Sequence, residues 1–228
     1  MLLTTLLAGL AFAGIVEDVE FAADADKPLE LRQAAFARLH EESAVDQLVA
    51  LARNKETTPA RRWVAIRSLG LNTSPFALAA LLEFLESENA PTRIAALSAL
   101  GERKDRSVSG RVAARLTDKA LLVRHAAADA LGLLGDPSTL PDLGRALGDS
   151  SNNYRGTSMW VRRHFVEAMG KIGTTEAIRY LASALDDADP AVVTAAVLAL
   201  EAVAGFSYRE GRSDEQQTEA WRRWSKGR

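Results

Sequence analysis

The chain has 228 residues, enough for one sizeable domain with a continuous core. Its formal net charge is -2, so no global field draws it onto nucleic acid or an anionic membrane. It contains no Cys, which excludes disulfides, thiolate metal sites and Cys nucleophiles, and its low aromatic content of 6% favours close-packed helices over sheet.

The first segment, Met1 to Ala13, reads MLLTTLLAGLAFA. Its apolar run has the length of a signal-peptide core, and Ala11-Phe12-Ala13 fits an A-x-A cleavage site. The expectation is a signal peptide and an exported, periplasmic or envelope protein. The alternative is a first apolar helix on a cytoplasmic protein. The run is too short to span a membrane comfortably.

From about residue 28 the chain repeats. In Leu122–Gly132, the positions Val123, Ala126, Ala127, Ala130, Leu131 and, beyond them, Leu134 follow the spacing of one helix face. The same frame recurs at His40, Gly70, Gly101, Gly132, Gly170 and Glu201, with intervals of 30, 31, 31, 38 and 31 residues. One residue before each anchor stand Leu39, Leu69, Leu100, Leu131, Met169 and Leu200. Five before stand Ala35, Ala65, Ala96, Ala127, Phe165 and Ala196. Eight before stand Arg32, Arg62, Arg93, Arg124 and Arg162, with Val193 in the last unit. Lys and Arg fill 28 of 228 positions, so five arginines in six aligned slots mark a true repeat.

Each frame predicts a first helix, a turn and a second amphipathic helix. Gly135-Asp136-Pro137-Ser138 and Gly173-Thr174-Thr175 are turn signals. Leu81 with Leu85, Val112 with Leu116, Leu143 with Leu147, and Leu181 with Leu185 place apolar pairs on one face of each second helix. Such a hairpin cannot bury its stripe alone, so neighbouring units must stack.

One interval is seven residues longer than its neighbours, and the extra length falls in the polar stretch 148–158, with Tyr154 and Arg155 near its middle and Trp160 just beyond. Loops inserted between repeats often carry specificity. After Gly205 the pattern stops. Ser213-Asp214-Glu215-Gln216 has the form of a capping box, so a last helix is expected there, with Trp221 and Trp224 on one face.

The columns, and phrases such as LLVRHAAADALGLLGDPSTLPDLGRAL, resemble bacterial HEAT repeats of the short type named after phycobilisome lyases, over residues 28 to 204. The resemblance implies an all-α fold, an α-α superhelix of about six helical hairpins. The implied division is an N-terminal segment 1–13, a repeat domain 14–204 and a C-terminal cap 205–228. The arginine column then reads as structural, with each guanidinium bridging to a carboxylate or turn carbonyl of a neighbouring repeat.

The phrase VRHAAADALG also resembles the HEAT-like deoxyhypusine hydroxylases, whose di-iron site uses repeated His-Glu pairs. Here Ala126 follows His125 and Phe165 follows His164. His40-Glu41 keeps the pair in a different frame. A scattered set of three histidines is therefore expected to build no metal site, and no catalytic residue or cofactor is expected. No phosphate-binding Gly loop and no Ser nucleophile motif is present.

The resulting expectation is a non-enzymatic scaffold for an unidentified protein partner, without nucleic acid and without membrane contact beyond the N-terminal segment. Its candidate contact residues are Arg115, Arg145, Arg179 and Tyr180 on second helices, Tyr154, Arg155 and Trp160 at the insertion, and Trp221 and Trp224 at the end. The alternatives are a HEAT-like enzyme, either bilin-lyase-like or nucleic-acid-modifying, and a self-assembling structural unit.

Overall fold

A computed structural model describes residues 14–155 and 157–227. The segment Met1 to Ala13, with its expected signal peptide or helix, lies outside them. No helix of the described residues is long and apolar enough to cross a membrane. The chain divides into two compact units, Met1–Arg103 and Lys104–Arg228.

The first unit holds α1 (Ile15–Ala23), α2 (Leu29–Arg38), α3 (Val45–Arg53), α4 (Pro59–Leu71), α5 (Pro75–Phe84) and α6 (Ala90–Arg103). Thr58 and Ser74 cap α4 and α5 through their side-chain oxygens, and each is followed by Pro, whose missing N–H costs nothing in a first turn. The first helices α4 and α6 lie side by side. Ala65, Ile66, Leu69, Ala96, Leu97 and Leu100 are buried between them and their partners. These are the Ala and Leu columns of the repeat.

The second unit holds α7 (Ser109–Ala113), α8 (Leu121–Leu134), α9 (Leu140–Gly148), α10 (Val161–Ile172), α11 (Ile178–Ala184), α12 (Pro190–Ala204) and α13 (Asp214–Lys226). The first helices α8, α10 and α12 stack in order, and the second helices α9 and α11 pack behind them. Between α9 and α10 the long interval forms a two-residue antiparallel ribbon, Asn153–Tyr154 against Thr157–Ser158. The last helix starts with a full capping box at Ser213 and Gln216.

Four of the five arginines of the column share one task. Helix ends leave carbonyls without intrahelical partners. Arg32 donates to the Ala22 carbonyl, Arg62 to Ala52, Asn54 and Thr57, and Arg93 to Ser87 and Glu88. In the second unit Arg124 donates to Asp118, and Arg162 pairs with the buried carboxylate of Asp187. Val193 cannot do this. Its place is taken from the cap: Arg222 of α13 donates to the Leu185 carbonyl at 2.8 Å and to Asp186 at 2.8 Å.

Candidate metal centre

The candidate centre sits on the outward faces of α8 and α10, within the second unit. These helices approach closely because Gly132 has no side chain. A Cβ there would stand 2.9 Å from Lys171 Cδ and 3.3 Å from the Ala168 backbone. Close approach brings residues 39 positions apart in sequence face to face. The His125 and His164 rings lie 3.9 Å apart between centroids, tilted by 45°.

Each imidazole has a carboxylate one helical turn further on. Asp129 Oδ2 is 3.0 Å from His125 Nε2, and Glu167 Oε2 is 2.9 Å from His164 Nδ1. The i, i+4 and i, i+3 spacings put them on the same helix faces. One potential ligand atom from each of His125, Asp129 and His164 falls in a group whose members all lie within 4.8 Å of one another. Lys171 Nζ is 3.6 Å from Asp129 Oδ1, and Arg163 Nε is 3.3 Å from Glu167 Oε1. Trp160, the residue just before α10, stands edge-on to both imidazoles, at 5.2 Å from His125 and 5.5 Å from His164.

Burial holds the His125 imidazole below the usual histidine range. Asp129 opposes that shift, and His164 adds to it. A neutral imidazole is the form that ligates a metal. The expectation that the histidines are too scattered for a metal site is thus corrected: Gly132 and the stacked first helices bring two of them together with a carboxylate. His40 belongs to the other unit. It packs edge-on to Phe36 at 5.0 Å, and burial lowers its pKa as well.

The other singled-out residues have varied surroundings. Tyr154 is 61% exposed on the ribbon, and the Arg155 guanidinium lies 5.2 Å over its ring. Arg145 is exposed and pairs with Asp142 on its own helix. Arg179 lies 4.7 Å over the Tyr180 ring, and that ring packs on Gly144. Arg115 is half-buried in the short turn after α7. Trp221 is 0% exposed, stacked on Phe206 at 5.1 Å, so it is removed from the partner-facing set; its ring forms the core of the cap. Trp224 is half-buried against the same cluster.

Sequence reasoning missed Asp129 and Glu167 as site residues. The signal was present. Both stand three before their anchors, Gly132 and Gly170, and both follow a histidine by one turn.

The HEAT-repeat family matches residues 78–159 and 154–210. Repeats of this kind generally mediate contacts between proteins. A deoxyhypusine hydroxylase of Candida albicans is 28% identical over 184 residues, which cover 77% of this chain. The chain spans about half of that relative's length, 54%. Among solved structures, Escherichia coli YibA superposes with a TM-score of 0.58 at 20% identity, over 87% of this chain and 74% of that one. A designed armadillo repeat protein gives a TM-score of 0.51 at 16% identity, over 83% of this chain and 100% of that one. These likenesses agree with the all-α, α-α superhelix class read from the repeat. The reading of a non-enzymatic scaffold does not stand, because the matched Candida albicans protein is an enzyme. A repeat fold does not decide function; the site grafted on it does.

Proposed function

Because the chain belongs to the HEAT-repeat family, whose function must be read from its sites, we propose that it is a metal-dependent enzyme of the hydroxylase kind, with one ion held by His125, Asp129 and His164. The observation that carries this reading is the convergence of two imidazoles and a carboxylate within 4.8 Å. Two histidines and one carboxylate are the donor set of mononuclear non-haem iron(II) oxygenases. The likeness to a hydroxylase supports the same chemistry.

The residues fit one ion. One potential ligand atom from each of His125, Asp129 and His164 lies within 4.8 Å of the others, and two imidazoles with one carboxylate are a donor set for a single ion. They do not fit the two-iron arrangement of repeated His-Glu pairs. The residues after the histidines, Ala126 and Phe165, are buried and apolar.

Bound iron(II) supplies a redox-active Lewis acid with positions open to exogenous ligands. The protein's part is orientation and charge. Glu167 Oε2 stands 2.9 Å from His164 Nδ1, so it orients that ring and leaves Nε2 as the nitrogen that would face the ion. Asp129 lowers the net charge of the site. Lys171 holds Asp129 from the far side and keeps its second oxygen engaged. Half-burial of both rings excludes part of the water and keeps His125 unprotonated.

Titration of the purified chain with iron(II) or cobalt(II), followed by calorimetry and by the cobalt d–d absorption, tests this reading. One equivalent is expected to bind. His164→Ala should weaken binding by more than about 100-fold, beyond the range of an outer-sphere partner. Equal binding by wild type and His164→Ala would overturn the assignment.

A further inference from the structure

We propose that Trp160 is the specificity-determining wall of this metal centre, set in place by the insertion between the fourth and fifth repeats. This inference rests on the metal-centre reading and adds what controls access to the ion.

The helix geometry gives the site two different sides. Asp129 lies one turn after His125, and Glu167 one turn after His164, so both carboxylates stand toward the C-terminal ends of the helices. Trp160 lies one turn before His164, on the opposite side of the imidazole pair. Its ring meets His125 at 79° and His164 at 82°, nearly perpendicular to both. It is 44% exposed, with one part against the ligands and the other part open to solvent. The indole therefore borders the ligand set on the side away from the carboxylates.

The insertion that leads into Trp160 is fixed from both ligand-bearing helices. Arg124, next to His125, donates to Ser151 Oγ at 3.1 Å and to Asn152 Oδ1 at 2.6 Å. Arg162, two before His164, donates to Asn153 Oδ1 at 2.6 Å. The buried Asn152 donates to the Ala146 carbonyl at 2.8 Å, and its own carbonyl accepts from Met159 N at 2.9 Å. Asn152 thereby ties the segment just before Trp160 to the end of α9. Arg124 thus holds this loop as well as the Asp118 carbonyl, and Arg162 holds it as well as the Asp187 carboxylate. An indole that follows a segment tied down at Asn152 and Met159 discriminates by size, since a wall beside the ion rejects a bulky ligand and admits a slim one.

The test uses the full chain loaded with cobalt(II), with azide as the slim ligand and 2-methylimidazole as the bulky one. Ligand binding is read from the visible absorption of the ion. Wild type should prefer azide. Trp160→Ala should raise 2-methylimidazole affinity relative to azide by about tenfold, the scale set by removing a steric wall. Trp160→Phe should fall between the two. Arg124→Gln, which loosens the insertion and leaves Trp160 itself intact, should shift the preference in the same direction by a smaller factor. Affinities for both ligands that rise together, or an unaltered preference in Trp160→Ala, overturn the assignment of Trp160 alone. A wild type that takes up no cobalt overturns the metal centre and this inference with it.

Discussion

The helix pairs α4–α6 and α8–α10 are built on the same frame and differ in what they carry outward. In the first unit the residues seven and three before the anchors are Trp63 with Arg67 and Ile94 with Ser98. In the second they are His125 with Asp129 and Arg163 with Glu167. The close approach is common to both: a Cβ on Gly70 would stand 2.7 Å from the Ala99 carbonyl oxygen, much as one on Gly132 would meet Lys171. In the first unit the outcome is an ion pair between Arg67 and Glu102. In the second it is two imidazoles with a carboxylate apiece. The backbone approach is a property of the repeat, and the chemistry is a property of a few outward positions.

The sharpest way to break the comparison is to force the helices apart. Gly132→Val and Gly70→Val should each cost about 1–3 kcal/mol by overpacking, measured by denaturant unfolding. Only Gly132→Val should also abolish cobalt uptake. If Gly70→Val lost the metal equally, the site would not belong to the second unit.

A smaller effect is expected from the partner of the second histidine. Glu167→Gln should weaken metal binding by about 10–100-fold, the range of an outer-sphere carboxylate, with little change in stability. The corresponding Ser98→Ala in the first unit should leave metal binding unchanged.

Acid sharpens the contrast between the two half-buried histidines His40 and His125. Both His40 and His125 are held below the ordinary histidine value of 6.5 by burial. The unfolded chain then takes the proton first, so the metal-free protein loses stability as pH falls through 6.5 toward the lowered folded values. Asp129 favours the charged form of His125, so Asp129→Asn should lower the His125 midpoint further and leave His40 where it is. Histidine NMR titration checks both. A rise at His125 would contradict the role of Asp129.

The smallest effect is expected at the ion pair of the first unit. Glu102→Gln should cost no more than about 1 kcal/mol, because both partners are partly solvated. Its metal binding should match wild type.

The frame of the repeat was legible because it is written in columns. Leu131, Ala127 and Arg124 recur at fixed distances from their anchors, and period alone identifies a hairpin that must stack. The capping box at Ser213 was legible for the same local reason. The metal centre was not. His125 stands seven before Gly132 and His164 six before Gly170, so the aligned frame puts them on different columns. An offset of one position turns a helix by about 100°, which reads as a separation. The seven-residue insertion adds a further break at that point.

The arginine column shows the same division. Its recurrence was visible, but the replacement of the missing sixth member by Arg222 was not, since Arg222 lies 37 residues after Leu185 and belongs to no repeat column. The sequence by itself determined the hairpins, their period and the class of fold, because helix faces and turns are local and their pattern repeats. Tertiary structure alone decided that His125 and His164 meet, that Asp129 and Glu167 attend them, and that Trp160 borders the pair. Those contacts depend on the distance and rotation between neighbouring helices, which Gly132 and the packed core set and which no single segment encodes.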